Sequence, residues 1–503
     1  MRYRFLTGSL FIIAVSLTVF LGYRWWERLN QPTVLCPGCN VIIIDIDTFR
    51  ADAFDCKGKP GDSGYPPNLC EFVKDAFKFE NNFSQSHWTL PSMVSTHTGL
   101  YPPEHGVERM YGDVLHTSKQ TVAELLQNNW YTTFRLWYDG RHLISKYSKT
   151  DKGYVQFVNS ERIPVWNIEL RKMNLLDNPF FAFFYFGGLH SPYALDKNNQ
   201  FILTQNRNPF FPITKEEFSE AIDKFVENNF NQIFLDSANN IPKNHISDFL
   251  YSIQWNGEMI KKYLVNDWST TYYTKIISPI YQQAIVQDAR VAERIHDVYN
   301  ANVKEVDKDF GPFINELEQL GIEKNTVIVL MSDHGEGFNE HGYMDHKFSS
   351  GAQYNEFLHT PLYIYIPGIK GSLINKASQN IDIFPTIFEI IGIDSSIFDK
   401  GSHGKSLVPL MGKIWWRNFF QDRFAISFSR SLASIQNRRW KMIFDLSGED
   451  ALRIYDLRKD SEERKNIAPE TLPISTYLTR KLEQIFGFRL KGLGFDWEEH
   501  FAK

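Results

Sequence analysis

The chain has 503 residues, of which 43% are hydrophobic, so it is long enough for a large buried core and for more than one minimal domain. Its formal net charge is −5, with 54 lysines and arginines against 59 aspartates and glutamates. This balance gives no basic excess of the kind that binds nucleic acid, so we expect no nucleic-acid partner.

An uncharged apolar segment, Phe5–Tyr23, lies at the N-terminus. Nineteen residues in a helix span about 28 Å, enough to cross a hydrocarbon core. Residues 24–28 (RWWER) resemble the basic and aromatic belt of a membrane interface. A cleaved signal peptide is the alternative, but no small-residue cleavage site follows the segment. We predict a cytoplasmic tip and an uncleaved single-pass anchor in residues 1–30, with the remainder of the chain outside the cytoplasm, periplasmic or extracellular.

The four cysteines all lie shortly after this segment, at Cys36, Cys39, Cys56 and Cys70. An even, clustered set in an exported chain predicts structural disulfides, with three possible pairings. The CxxC pair could instead be a redox dithiol or half of a zinc site. A redox CxxC normally opens a helix after a strand, whereas this one precedes the first predicted strand. No second CxxC completes a zinc site, so we favour structural disulfides.

Short apolar segments rich in β-branched and aromatic residues recur along the chain and predict buried strands. These segments are Asn40–Asp47, Trp130–Trp137, Pro179–Phe186, Val327–Met331 and Leu362–Ile366. Helical patterns lie between them, as in Gln120–Gln127 and Val303–Leu320. The alternation predicts an α/β fold with a mostly parallel sheet, in which ligands bind outside the carboxyl ends of the strands.

Two changes of pattern divide the rest of the chain. Residues 194–299 are rich in Asn, Phe and Tyr with weak periodicity, and we predict an insertion that covers the ligand-binding edge of an α/β domain, residues 31–399. Residues 400–503 predict a smaller α+β subdomain. Its expected strands are Phe424–Phe428, Trp440–Phe444 and Arg453–Leu457, and its closing helix lies near Leu478–Phe486.

Carboxylate and imidazole side chains follow three of the predicted strands. Asp47 ends the first, Asp333 and His334 follow Val327–Met331, and His190 follows the Phe-rich strand. Parallel strands would bring these side chains to one edge of the sheet. Hard oxygen ligands with one imidazole can bind Mn²⁺, Mg²⁺, Ca²⁺ or Zn²⁺, and the ligand types alone do not identify the ion. We therefore predict one divalent metal ion at this edge.

These motifs, taken together, resemble the sulfatase family of the alkaline phosphatase superfamily over residues 40 to 470. The opening strand matches NVIIIDIDTFRAD, and the signature matches TLPS, TGLYP and HGV in residues 89–107. The second metal motif matches SDHGE and EHG in residues 332–342. Later family blocks match at residues 382–386, 404–410 and 455–466. So many blocks in order are far more specific than one short motif.

The resemblance implies an alkaline-phosphatase-like sandwich, with a mostly parallel central sheet flanked by helices. It implies metal ligation by Asp47, Asp333 and His334, with Thr89 near or on the ion. From the residues alone, Thr89 could simply cap a helix that begins before Pro91.

The resemblance also implies the groups that contact the substrate. His190 matches a family histidine that contacts the ester or assists the leaving group, although it could also be a loop histidine bonded to backbone. His346 and Lys347 fall near a basic position that contacts the sulfate or phosphate. Asp45, two residues before Asp47, is expected to be structural or to support the metal ligands without binding the ion.

Three departures distinguish the chain from a formylglycine sulfatase. Thr89 stands where the family has the Cys or Ser that is oxidised to formylglycine, and oxidation of threonine would give a ketone. Met93 replaces the family's arginine, and Thr48 replaces its second tandem aspartate. These changes resemble relatives with an unmodified threonine nucleophile, such as lipoteichoic acid synthases and phosphoethanolamine transferases, which form a phospho-threonine intermediate.

The leading hypothesis is therefore a membrane-anchored, metal-dependent hydrolase or transferase with Thr89 as the nucleophile. Its substrate would be a phosphate or sulfate ester, on a lipid head group or a glycan. Two alternatives remain open: an arylsulfatase-like sulfuric ester hydrolase, and a catalytically inactive binding protein with the same fold.

Overall fold

The computed structural model of the protein describes residues 35–58, 65–108, 113–137, 148–160, 163–190, 290–344, 346, 353–394, 401–412, 423–429, 432–445, 452–468 and 472–491. The predicted N-terminal anchor, residues 194–289 of the predicted insertion, and Lys347 lie outside these ranges. Within them, no helix is both long enough and apolar enough to cross a bilayer.

Eight strands form one mixed central sheet in the order β4-β3-β5-β1-β6-β7-β2-β8. The strands are β1 (Asn40–Ile46), β2 (Phe77–Phe83), β3 (Thr132–Trp137), β4 (Gln156–Asn159), β5 (Phe180–Phe186), β6 (Thr326–Met331), β7 (Leu362–Tyr365) and β8 (Leu373–Gln379). Neighbouring strands are parallel except where β7 pairs with β6 and β2.

The sheet is therefore mostly parallel, as predicted, and the exception is β7, which runs antiparallel to both neighbours. The segment between β6 and β7 contains the end-of-strand residues Asp333 and His334 and then the short helix Asn355–Leu358. The described residues of this segment (332–344, 346 and 353–361) form no helical crossover along a face of the sheet, and β7 begins at the edge where β6 ends. Such a return gives an antiparallel pair.

Helices cover both faces of the sheet. The helices of the described residues are α1 (Pro67–Phe72), α2 (Thr89–Thr98), α3 (Pro102–His105), α4 (Val122–Asn128), α5 (Ile163–Met173), α6 (Arg290–Leu320), α7 (Asn355–Leu358), α8 (Ile383–Ile391), α9 (Val408–Met411) and α10 (Leu472–Lys491), of which α10 packs on the second sheet described below. Short 3₁₀ helices span Ile322–Asn325 and Asn380–Asp382. Helix α6 begins inside the predicted insertion, so residues 290–299 belong to the flanking layer.

Successive side chains of the central strands point to opposite faces of the sheet and so contribute to the two hydrophobic cores, one on each face. In β5, Phe184 faces Trp166 of α5 and Phe313 of α6, whereas Phe183 belongs to the opposite core with α2 and α8. All seven β5 residues are buried, as expected for a strand covered on both faces. The central strands predicted from such apolar segments are confirmed.

A second sheet, antiparallel and in the order β12-β11-β10-β9, follows in the C-terminal part. Its strands are β9 (Ala425–Phe428), β10 (Leu432–Gln436), β11 (Trp440–Asp445) and β12 (Arg453–Asp456). Helix α10 packs on it through Leu478 and Leu482. The predicted C-terminal strand segments and the closing helix are present.

The cysteines form two local disulfides, Cys36–Cys39 and Cys56–Cys70. The first closes a turn directly before β1, and the second ties the loop after β1 to α1. The disulfides thus lie on both sides of the strand that ends in Asp47.

Candidate metal centre and active site

The predicted metal ligands meet at the carboxyl ends of β1 and β6, which pair in parallel. His334 Nε2 lies 3.5 Å from Asp47 Oδ1 and 3.6 Å from Asp333 Oδ2. One ligand atom from each of the three residues lies within 4.8 Å of the other two, and all three residues are fully buried. The strand ends therefore form one compact cluster of two carboxylates and an imidazole.

The charge of this cluster fits a cation. Asp45 lies in β1, two residues before Asp47, and is also fully buried. Its pKa is raised well above the usual range, first by burial and then by the negative charges of Asp333 and Asp47. A divalent ion would compensate this negative potential, and the donor set admits Mn²⁺, Mg²⁺, Ca²⁺ or Zn²⁺.

Thr89 adds a hydroxyl to the cluster. It is the first residue of α2, and its Oγ1 lies 3.2 Å from His334 Nε2. The helix cap is Trp88, and no side chain caps this terminus by a hydrogen bond. The capping explanation of Thr89 is therefore not what the structure shows. The hydroxyl instead faces the metal candidates at the positive end of a helix.

Hydrogen bonds fix the orientation of the ligands. Tyr185 donates its hydroxyl to Asp47 Oδ2 at 2.5 Å. The backbone N–H of His334 donates to Asp333 Oδ1 at 2.8 Å, and His334 Nδ1 lies 2.7 Å from the Gly335 carbonyl oxygen. We assign the ring proton to Nδ1, because only a protonated nitrogen can donate to that carbonyl. Nε2 is then the atom that can bind a metal ion.

The residue after Asp47 adopts an unusual backbone conformation. Thr48 has φ 59°, in the left-handed region that a β-branched residue rarely occupies. Its N–H contacts Asp333 Oδ1 at 3.3 Å, and its carbonyl accepts a hydrogen bond from Tyr299 of α6 at 2.8 Å. Tyr299 also accepts the N–H of Arg50 at 2.9 Å. Helix α6 thus holds this strained turn against the metal cluster.

The predicted substrate-contacting histidines lie beside the cluster. The ring of His346 has its centroid 4.5 Å from that of His334 and 4.9 Å from that of His190. Both His190 and His346 are buried. The structure therefore brings six of the seven predicted site residues together, and the seventh, Lys347, lies outside the described residues.

Sequence reasoning missed two groups that support this site. Glu336 is fully buried, and both of its carboxylate oxygens lie 3.1 Å from His346 Nδ1. Its signal was visible as the glutamate of the SDHGE motif, but that motif assigned it no role. Tyr185 carried no signal, because it stands in an aromatic strand where any ring fits the core.

A mostly parallel sheet with a buried metal cluster at the strand ends, and a hydroxyl at a helix N-terminus, defines an alkaline-phosphatase-like protein. Residues 39–393 match the sulfatase family, and residues 339–486 match the family described as N-sulphoglucosamine sulphohydrolase, C-terminal. The chain therefore belongs to the sulfatase family. Members of this superfamily use a divalent metal ion, which agrees with the cluster.

Similar proteins include curated sulfatases and solved structures. An N-acetylglucosamine-6-O-sulfatase from Bacteroides thetaiotaomicron is 22% identical over 487 residues, which cover 85% of this chain and 82% of that protein. An arylsulfatase from Clostridium perfringens is 22% identical, with 85% of this chain and 90% of that protein covered.

Among solved structures, a complex with D-glucosamine-2-N,6-O-disulfate has a TM-score of 0.63, with 20% identity over 89% of this chain and 97% of that one. A phosphonate monoester hydrolase of Agrobacterium radiobacter has a TM-score of 0.60, with 19% identity over 89% and 95%. At these identities the structural likeness shows the fold.

Proposed function

We propose that the protein is a metal-dependent ester hydrolase in which Thr89 is the nucleophile. The observation that carries this proposal is the position of Thr89 Oγ1, 3.2 Å from His334 Nε2 at the first turn of a buried helix. Asp47, Asp333 and His334 would hold the ion. A bound divalent ion supplies Lewis acidity, which lowers the pKa of a hydroxyl and polarises a non-bridging ester oxygen.

The chain's own residues account for the remaining steps. After its proton has passed to solvent, Thr89 Oγ attacks the sulfur or phosphorus atom, and the bond to the ester oxygen breaks. His190 gives a proton to the departing alcohol. Water then attacks the same sulfur or phosphorus atom and the bond to Thr89 Oγ breaks. One proton of the water passes to His190 and the other restores the Thr89 hydroxyl. The product is sulfate from a sulfate ester, or a phosphate monoester from a phosphodiester. The N-terminus of α2 favours the anionic group throughout.

His346 is proposed to bind the non-bridging oxygens of the substrate. Glu336 accepts a hydrogen bond from Nδ1 of His346, and Nε2 is proposed as the ring nitrogen that contacts the substrate. The same carboxylate stabilises a positive charge on the ring. Lys347 is proposed as a second basic contact.

A sulfate ester of a glycan is the proposed substrate class. The support is membership of the sulfatase family and the similarity to an N-acetylglucosamine-6-O-sulfatase. A phosphodiester, with hydrolysis or transfer to another hydroxyl, is the second candidate. It is favoured by Thr89, which cannot give the formylglycine aldehyde, and by the unmodified-threonine relatives that the sequence resembles.

The test compares the full chain on a matched aryl sulfate and aryl phosphodiester. Thr89→Ala should lower turnover about a thousandfold or more, since the covalent step is lost, while Thr89→Ser should retain part of it. Thr96→Ala is the matched control, because Thr96 lies in the same helix and donates its hydroxyl to the Ser92 carbonyl. Wild-type turnover by Thr89→Ala would show that another group is the nucleophile. Failure to bind any divalent ion would favour the inactive binding protein.

We further propose that residues 1–30 anchor the protein in a membrane, with the catalytic domain outside the cytoplasm. The support is the uncharged segment Phe5–Tyr23 and the basic, aromatic residues 24–28. The full chain should remain in the membrane fraction after alkaline extraction, and protease added at the outer face of the cytoplasmic membrane should degrade it. Release by alkali would contradict a spanning anchor.

A further inference from the structure

Three loops form one surface at the end of the sheet opposite the metal cluster. They precede β1, β3 and β5, and we call residues 35–39, 129–131 and 174–179 the amino edge. Tyr131 donates its hydroxyl to the Cys39 carbonyl at 2.9 Å, and the N–H of Thr132 donates to the Pro179 carbonyl at 2.9 Å. The three loops are therefore neighbours in space.

The amino edge exposes large apolar side chains. Trp130 is 81% exposed and Leu175 is 83% exposed, and Leu176 beside them is 39% exposed. Two side chains of this size, so exposed on adjacent loops, differ from the scattered apolar residues of an ordinary surface.

The backbone conformation of Trp130 is a second indication that this exposed side chain has a role. Its φ is 68°, in the left-handed region just after α4, where glycine or asparagine is the favoured residue. A tryptophan there gains no burial in return for this conformation. Such a residue indicates a partner that covers it.

The chain enters the fold at this same edge. The N–H groups of Leu35 and Cys36 donate to the Ile390 carbonyl, and β1 starts at Asn40. Residues 24–34 join Leu35 to the predicted anchor, and eleven residues reach about 40 Å at most. A chain anchored at Phe5–Tyr23 thus keeps the amino edge close to the bilayer.

We propose that the amino edge rests on a lipid surface, with Trp130 and Leu175 in the interfacial layer. The inference rests on the proposed anchor, and tryptophan is enriched at such interfaces because its ring is apolar and its N–H polar. The metal cluster lies at the other end of β1, whose seven residues span about 23 Å. The site therefore faces away from the membrane. Its substrate is an ester outside the bilayer, such as a glycan, and not a head group of the lipid that holds the chain.

Quenching of tryptophan fluorescence tests this orientation. The full chain is reconstituted in phosphatidylcholine vesicles with brominated or unbrominated acyl chains, and the spectrum of Trp130→Phe is subtracted from that of the wild type. The Trp130 emission should fall by about half or more in brominated lipid. Trp440→Phe is the matched control, because Trp440 lies in β11 of the small sheet and its emission should be equal in both lipids.

Three outcomes would overturn the proposal. Equal Trp130 emission in both lipids places this side chain away from the bilayer. An unquenched emission that shifts to the red on dilution indicates a second copy as the partner. A chain that does not float with the vesicles removes the anchor and this orientation together, while hydrolysis of a soluble aryl ester still tests the catalytic proposal separately.

Discussion

Replacement of Glu336 by alanine tests whether the carboxylate positions His346. Glu336 and His346 are both buried, and His346 Nδ1 lies 3.1 Å from each oxygen of the carboxylate. Glu336 also accepts the N–H of Gly337 at 3.1 Å, and its carbonyl accepts a hydrogen bond from Arg50 at 3.0 Å. Alanine removes the side-chain acceptor and leaves the carbonyl contact to Arg50 in place.

The expected loss follows from the type of contact. A hydrogen bond that involves a charged group contributes about 1.5–3 kcal/mol, which corresponds to roughly a 10- to 150-fold loss of kcat/KM. Glu336→Gln keeps an acceptor and loses the charge, so its loss should be smaller. Because His346 is proposed to bind substrate oxygens, KM should rise more than kcat falls in both variants.

A double-mutant cycle with His346→Ala separates positioning from general damage. If Glu336 acts through His346, the loss caused by Glu336→Ala should nearly vanish when His346 is already absent. Activity is measured on the aryl ester that wild type hydrolyses, with the unfolding temperature recorded for each variant. Additive losses, or a Glu336→Ala enzyme within twofold of wild type, would refute the reasoning.

Other predictions concern stability. Thr48→Asn should raise the unfolding temperature by relieving about 1 kcal/mol of strain at φ 59°, and a lower value would show that the threonine contacts matter more. Lys441→Met leaves Glu463 buried without its ion pair and should cost about 3–5 kcal/mol in denaturant unfolding, much of it regained when Glu463→Gln is added. Burial, reinforced by Arg135, lowers the pKa of His97 to about 3. Its contribution to stability is therefore present above about pH 6.5 and is lost as the pH falls toward 3, so His97→Gln should flatten this part of the pH profile of unfolding. Removal of divalent ions with a chelator should lower the unfolding temperature, because the carboxylate cluster is left uncompensated, and an unchanged temperature would argue against a bound ion.

The central strands were predictable because both of their faces are buried. Such strands must be apolar at every position, and β1, β5 and β6 stand out for that reason. Parallel pairing then places Asp47 beside Asp333 and His334 without further information. The metal cluster was therefore predictable from local pattern and one rule of topology.

The outer strands were not predicted, because their burial is partial. The sequence of β2 is FKFENNF, and its lysine, glutamate and one asparagine are only half buried. Strand β8, LINKASQ, starts exposed and becomes buried toward its end. Neither has the length of apolar sequence that identifies a central strand. The sequence also did not predict that β7 is antiparallel to its neighbours, because the direction of a strand depends on the path of the loop that precedes it.

The departures from the sulfatase pattern acquire a physical meaning at the metal cluster. Thr48 replaces the family's second aspartate, and its hydroxyl donates to the Asp47 carbonyl at 2.7 Å. This contact turns the hydroxyl toward the backbone, so the chain has one carboxylate fewer at this turn than the family pattern. Thr89 Oγ1 is the further oxygen that the structure brings beside His334. We therefore expect the replacement at Thr48 to influence the acidity of the Thr89 hydroxyl. With fewer anionic ligands, an ion held by Asp47 and Asp333 would keep more of its positive charge, and we expect the proposed nucleophile Thr89 to lose its proton more readily than it would beside a full tandem aspartate.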